Sequence, residues 1–514
     1  MIHNKEIKKW INVYIATALF WFAAHAFCFL NTLHSDDSLA ALYQKTDNEW
    51  QISLGRFLHP VYRAFRGQLT APFLIGLLSL LWLSMAVFVV VKLLNIESAA
   101  SMVLICGVLA TNATVTLTNA TYMHQSDMAT LALLFSVLGV YACCRYRFGF
   151  LAGAVFISMS LALYQSYLSV SVVLFLTVLI KMLIDGSAVI DVFTRGAKAL
   201  CSLLGGLGLY YLVFQLVLWA TGISASTDYN SITGVGDYSG VSLPRLLFDT
   251  YVYPVRYFLD PKTYNRPISV VATGLIAILA AAGLAGLIIT KRMGKKKTIM
   301  MLALLAFFPF GANVTYFISK GLIHTLMIFS FFFLYVFAIL IAEYYTGDKG
   351  ESGVFLKPKV ISFMKKAAFV FMAVLIFNNI VYSNQIYLRK ELEYQSTLSV
   401  MTRIIDRLEQ TEGYVVGETP VAVIGRMQWS PLSQKRLGFE DVYGVGIGDN
   451  FSVTNGRSVA SYFHSVLGYP INLADSELRS AYGKRDEFLE MPKFPDAGSI
   501  RYIDDVLVVK IANP

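Results

Sequence analysis

Charged residues are scarce in this sequence. Asp, Glu, Lys and Arg make up 15% of 514 residues, against about 25% in soluble globular domains. That shortage excludes an ordinary water-soluble fold. The 56% share of hydrophobic residues and the mean hydropathy of +0.58 point to a chain that meets lipid. Cysteine is rarer still: Cys28, Cys106, Cys143, Cys144 and Cys201 all lie in or at the ends of apolar runs. This excludes a disulfide framework and a CxxC metal centre. A P-loop, HExxH and an ordered Ser-His-Asp set are missing as well, and the glycines make no GxGxxG fingerprint. The apolar runs themselves are almost free of acids. That argues against an ion-coupled transporter, which places ionisable groups near the bilayer midplane.

What the chain has instead is apolar runs long enough to cross a bilayer as helices. They fall at about 11–30, 72–94, 99–118, 127–144, 149–163, 168–184, 199–222, 268–290, 298–314, 325–345 and 364–384. The expected fold is a polytopic α-helical membrane protein with about eleven transmembrane helices, the runs at 149–163 and 168–184 being two helices or one bent element. The first run is too long for a signal-peptide core and is read as an anchor. Basic residues set the orientation. With a cytoplasmic start, nineteen Lys and Arg fall in the short connections of one side and nine in the loops of the other. The N-terminus is therefore expected inside and the C-terminus outside. The net charge of +9 sits mostly where this topology wants it, so it is no nucleic-acid footprint.

Three segments on the outer side exceed turn length: a first loop at about 31–71, a second at about 223–267, and the tail from 387. The domain division expected is 1–386 in the membrane and 387–514 outside. The tail alternates helical and strand patterns. ELEYQSTLSVMTRIIDRLEQ (391–410) spaces Leu398, Met401, Ile404, Ile405 and Leu408 as a helix does. PVAVIG (420–425) and DVLVVKI (505–511) read as strands, and GRSVASYFHSVLG (456–468) as a helix. A small α/β domain with at least one covered sheet face follows.

The first loop opens with HSDDSLAAL (34–42), just after the first apolar run. Two readings of its adjacent carboxylates, Asp36 and Asp37, stay open: the acidic first turn of a helix capped by Ser35, or a catalytic base at the membrane surface. SLAALYQK (38–45) and GRFLHPVYRAFRG (55–67) read as short amphipathic helices, Pro60 kinking or starting the second. In the second, Phe57, Leu58, Val61, Phe65 and Leu69 are expected toward lipid and Arg56, His59, Arg63 and Arg66 toward water and headgroups. The arginines serve as headgroup contacts or as a phosphate clamp, since guanidinium groups bind phosphate oxygens in pairs. Further outer turns carry His124 and Asp127 in MHQSD, Gln165 in YQSY, and Lys320 and His324 in ISKGLIH. Asp127 is read equally as a helix cap or a functional acid. The tyrosines of YQSY are read as an interfacial belt.

SDD after the first span, the downstream Gly55-Arg56, the NN of FNNIVYSNQ (377–385) and the ending MPKFPDAGSIRYIDDVLVVKI (491–511) resemble the serotype-converting O-antigen glucosyltransferases of the Gtr type. These are similar in turn to the GT-C class of polytopic glycosyltransferases. The resemblance implies an acidic catalytic residue in the first extracytoplasmic loop, here Asp36 or Asp37, and a GT-C-like fold in the bacterial inner membrane. It also implies a polyprenyl-phosphate sugar donor, a surface polysaccharide acceptor (lipopolysaccharide O-antigen) and a glucosyl residue transferred with inversion. Arg56, Arg63, Lys320 and His324 are the candidates for the donor phosphate, and His124, Asp127 and Gln165 are accessory candidates. No cofactor is assigned; a divalent cation on Asp36 or Asp37 stays open. The partners expected are lipid-linked sugar, polysaccharide and membrane lipid, with no nucleic acid. A polysaccharide polymerase and a lipid-linked sugar flippase remain as alternatives.

Overall fold

The computed structural model describes residues 2–31, 42, 48–226, 238, 240–261, 266–345, 358–425 and 456–513. Among them, seven helices are long and apolar enough to cross a membrane: Glu6–Leu30, Pro72–Leu93, Ala99–Arg145, Gln165–Ile184, Val189–Thr221, Pro267–Thr290 and Lys359–Glu409. This is the make-up of a polytopic membrane protein.

Seven differs from the eleven expected for physical reasons. The stretch Ala99–Arg145 takes in two of the expected runs, with a 3-10 turn at Met123–Gln125 between helices. Gly149–Leu163 and Phe329–Glu343 are apolar but short, below the roughly 20 residues a span needs. Lys295–Ala312 begins on three lysines. The runs at 149–163 and 168–184 are two helices, parted at Tyr164 and the 3-10 turn Gln165–Tyr167.

The chain divides into two compact units. The larger comprises Met1–Phe27, Gln44–Asn119 and Gln125–Asn384. In it, helix Gly149–Leu163 packs against Ser126–Arg145 and Val189–Thr221. Small residues make this possible: a Cβ on Gly153 would meet Ser202 Oγ at 2.3 Å and the Gly139 carbonyl at 2.9 Å. Hydroxyls join neighbouring helices, Ser160 Oγ donating to the Ala132 carbonyl at 2.7 Å and Ser136 Oγ lying 2.7 Å from Ser171 Oγ. In an apolar medium such bonds and close packing replace the hydrophobic effect as the attraction between helices. A carboxylate from far along the chain caps helix Ala99–Thr111. Glu343 accepts from the Glu97 and Ser98 amides, each at 2.8 Å, and from Ser101 Oγ at 2.6 Å, where the helix dipole favours negative charge.

The second unit comprises Cys28–Tyr43, Ala120–His124 and Gln385–Pro514. Its sheet has the order β2-β1-β4-β3, with β1 at Pro420–Ile424, β2 at Asn472–Leu473, β3 at Ile500–Ile503 and β4 at Val506–Lys510. β1 runs parallel to β2 and β4; β3 and β4 are antiparallel. Side chains alternate along a strand, so each strand feeds two cores. Val421, Val423, Leu507 and Val509 pack with Met401, Ile404, Leu408, Tyr462 and Phe463. Ala422, Ile424, Val506 and Val508 pack with Tyr482, Phe488 and Met491. Both faces are thus covered, which is why these strands read as unbroken apolar runs. Lys510 ends β4 buried, and its ammonium donates to the carbonyls of Phe488 at 2.9 Å and Leu489 at 2.7 Å.

Candidate active site

Asp36, Asp37 and most of the helix expected at 38–45 lie outside the described residues. The described part of the first loop begins with helix Asn48–Ser53. It closes in a Schellman turn: the Arg56 amide donates to the Gln51 carbonyl and the Gly55 amide to the Ile52 carbonyl, both at 2.8 Å. Gly55 takes φ +80, the left-handed position that such a cap requires.

Two side chains from distant helices grip this turn. Gln165 Nε2 donates to the Leu54 carbonyl at 2.8 Å, and Tyr210 Oη donates to the Gly55 carbonyl at 3.1 Å. Gln165 Nε2 also donates to Tyr210 Oη at 3.2 Å. The half-buried Arg56 guanidinium lies over the Tyr164 ring, 5.3 Å from its centre, and its Nη1 is 3.5 Å from Gln51 Oε1. Tyr164 Oη in turn reaches the Leu326 carbonyl at 3.4 Å, two residues after His324. The start of the second loop joins here, the Ser226 amide donating to the Ser53 carbonyl at 3.0 Å.

Helix Leu58–Arg66 follows. Pro60 lies in its first turn, where the missing N–H costs no intrahelical bond. The helix is amphipathic, but its polar face is turned inward, opposite to the expectation. His59 and Arg63 are buried, while Val61 and Phe65 are exposed, Phe65 at 87%. Phe57, expected toward lipid, is buried and stacks on Tyr210 and Phe214 at 5.7 and 6.4 Å between ring centres. The reason is the supply of polar partners. The ends of neighbouring helices offer a free carbonyl and a carboxylate, whereas lipid offers apolar side chains a surface that costs nothing. His59 Nε2 lies 2.9 Å from the Leu163 carbonyl at the end of helix Gly149–Leu163. Arg63 Nε donates to the His59 carbonyl at 3.4 Å. Arg66 Nη1 reaches Asp127 Oδ1 at 2.8 Å and Oδ2 at 3.1 Å.

Asp127 also accepts from its neighbour, the Met128 amide, at 3.0 Å, and from the Tyr62 phenol, which receives Trp82 Nε1 at 3.0 Å. Burial, and then the Asp127 charge, push the Tyr62 phenol above its ordinary range, so it stays a donor. Asp127 is therefore an ion-paired carboxylate surrounded by donors, and no water-facing base. Arg56 and Arg63 do not share one unbroken helical face, because the helix that carries Arg63 starts only at Leu58.

The remaining candidates lie on other segments of the chain. Lys320 takes a left-handed conformation, φ +57, in the turn before Gly321. His324 is half-buried, and burial lowers its pKa, which favours neutral imidazole over a cation. His124 belongs to the second unit, where its ring meets Tyr122 at 6.1 Å. Among the described residues no cluster of three or more His, Cys, Asp or Glu side chains could hold a metal ion. Tyr62 and Tyr210 have no motif to announce them. Tyr210 and Tyr211 are adjacent on helix Val189–Thr221, yet one is 1% exposed and the other 56%, a difference only packing reveals. Tyr164, one of the tyrosines of YQSY, is the platform under Arg56.

Apolar helices long enough to span a bilayer, packed around a first loop whose polar side chains face inward, define a polytopic membrane protein. The family model described as glucosyl transferase GtrII matches residues 26–343, well over half of the chain, and the protein belongs to that family. No curated protein and no solved structure matches it.

Proposed function

We propose that this glycosyltransferase moves a glucosyl residue from polyprenyl-phosphate glucose to a hydroxyl of a surface polysaccharide of the O-antigen kind. The reaction takes place at the outer face of the bacterial cytoplasmic membrane. The observation that carries the reading is the half-buried Arg56, whose Nε has no hydrogen-bond partner among the described residues, in a chain of a glucosyl transferase family. Such a donor leaves as a phosphate that bears its own charge, so it needs cations and hydrogen-bond donors more than an acid. Arg56 supplies a planar fork for two phosphate oxygens; Arg63, Lys320 and His324 are further candidates for this end of the donor.

The acceptor hydroxyl is a weak nucleophile and needs a base. Asp36 or Asp37 takes its proton as the oxygen attacks the sugar's anomeric carbon. The bond from that carbon to the phosphate oxygen breaks with inversion, and polyprenyl phosphate leaves. The second aspartate orients the first or shares a divalent cation. In this reading the segment 1–386 carries the chemistry and 387–514 lies outside the membrane, docking the acceptor or bracing the catalytic part.

The test uses purified protein in detergent with polyprenyl-phosphate glucose and polysaccharide. A transferase makes a new glycosidic bond without any membrane or gradient. A flippase makes none, and a polymerase lengthens the polysaccharide by its own repeat.

A further inference from the structure

The Arg56 side chain is long, and holding it in one geometry costs up to about 2 kcal/mol of rotamer freedom. Its backbone is fixed by an arrangement that reaches across three separate parts of the chain. The carbonyls of the two residues before it are each taken by a side chain: Leu54 by Gln165 at 2.8 Å and Gly55 by Tyr210 at 3.1 Å. Gln165 also donates to Tyr210 at 3.2 Å, so the two grips form one network. The position of the Tyr210 hydroxyl is itself set by packing, with its ring stacked on Phe57 and Phe214 at 5.7 and 6.1 Å. The fit is too close for any residue but glycine at 55. A Cβ there would lie 2.1 Å from Tyr210 Oη and 3.2 Å from Gln165 Nε2, and φ +80 disfavours a side chain as well.

The arrangement leaves the guanidinium with work to do. Its face lies over Tyr164 and its Nη1 near Gln51. Its Nε is buried and has no hydrogen-bond partner among the described residues. A buried donor of this kind is stabilised by an acceptor that arrives with the ligand.

We infer that Tyr210 is a positioning residue: through the Gly55 carbonyl, and tied to Gln165, it aims Arg56 Nε at a phosphate oxygen of the lipid-linked donor. The inference rests on the transfer reading above, and it concerns how the phosphate is held, not which bond is made. Tyr210 touches no substrate and acts only through Arg56.

Wild type, Tyr210→Phe, Arg56→Ala and the double variant are compared in detergent. Donor KM, acceptor KM and direct binding of polyprenyl phosphate are measured, with thermal unfolding as a control. Phenylalanine keeps the ring stack and removes only the hydroxyl. Tyr210→Phe is expected to weaken donor KM and polyprenyl-phosphate binding about tenfold, the weight of one such hydrogen bond. Acceptor KM and unfolding temperature stay near wild type. In the Arg56→Ala background the same change has no further effect. Wild-type donor affinity in Tyr210→Phe overturns the inference. So does a loss that persists undiminished without Arg56, because a merely structural tyrosine behaves that way. If wild type forms no bond, the transfer reading fails, and the binding comparison still decides the role of Tyr210.

Discussion

Arg66 and Asp127 meet inside the protein. Nη1 of the arginine lies 2.8 and 3.1 Å from the two carboxylate oxygens, with the side chains 2% and 0% exposed. The pair ties the last turn of helix Leu58–Arg66 to the first turn of helix Ser126–Arg145. It thereby holds the inward face that carries His59 and Arg63. With Tyr62 and the Met128 amide also donating to Asp127, the carboxylate is well satisfied.

Breaking this pair on one side strands a buried charge. Arg66→Met or Asp127→Leu alone should destabilise the protein by about 3–5 kcal/mol. The double variant should recover much of that loss, because no charge is left unmatched. Thermal unfolding of the three variants in detergent reads this directly; single variants that unfold like wild type would mean the pair is not insulated from water.

The base should be found in the first loop. Asn keeps the size and capping ability of Asp but loses its proton-accepting charge. One of Asp36→Asn and Asp37→Asn should insert normally and lose transfer by a factor on the order of 10² or more. Near-normal turnover in both would support the helix-cap reading of the pair.

At Arg56 the shape of the cation should matter, not its charge alone. Lysine offers a point charge in place of a planar fork and cannot present Nε to a second oxygen. Arg56→Lys should lose at least about tenfold in kcat/KM, close to 1.4 kcal/mol, one charge-assisted hydrogen bond. Full turnover by this variant would reduce Arg56 to a headgroup contact.

The basic residues predict the topology. A reporter active only outside the cytoplasm, fused after Pro514, should be active, since Lys and Arg crowd the connections on the other side. A silent reporter on a stably inserted fusion would move the tail inside and overturn this orientation.

By itself the sequence determined what repeats along the chain. Long apolar runs must be helices, because lipid leaves a backbone polar group no partner outside its own segment. β1 and β4 were legible as short unbroken apolar runs, the pattern of a strand covered on both faces. Gly55 and Arg56 were legible as a motif, and Arg63, Gln165 and Asp127 as polar groups in unlikely places. The tertiary structure decided which way they face. A helical period shows that His59, Arg63 and Arg66 share an environment, but not whether it is water or protein. In a membrane protein the apolar face is at ease against lipid, so the polar face goes wherever partners stand. Here those partners are the Leu163 carbonyl and Asp127, both far away in sequence. Tyr210, buried beside its exposed neighbour Tyr211, became part of the site only because the Gly55 turn folds onto its hydroxyl, a contact between residues 155 positions apart that no local pattern encodes.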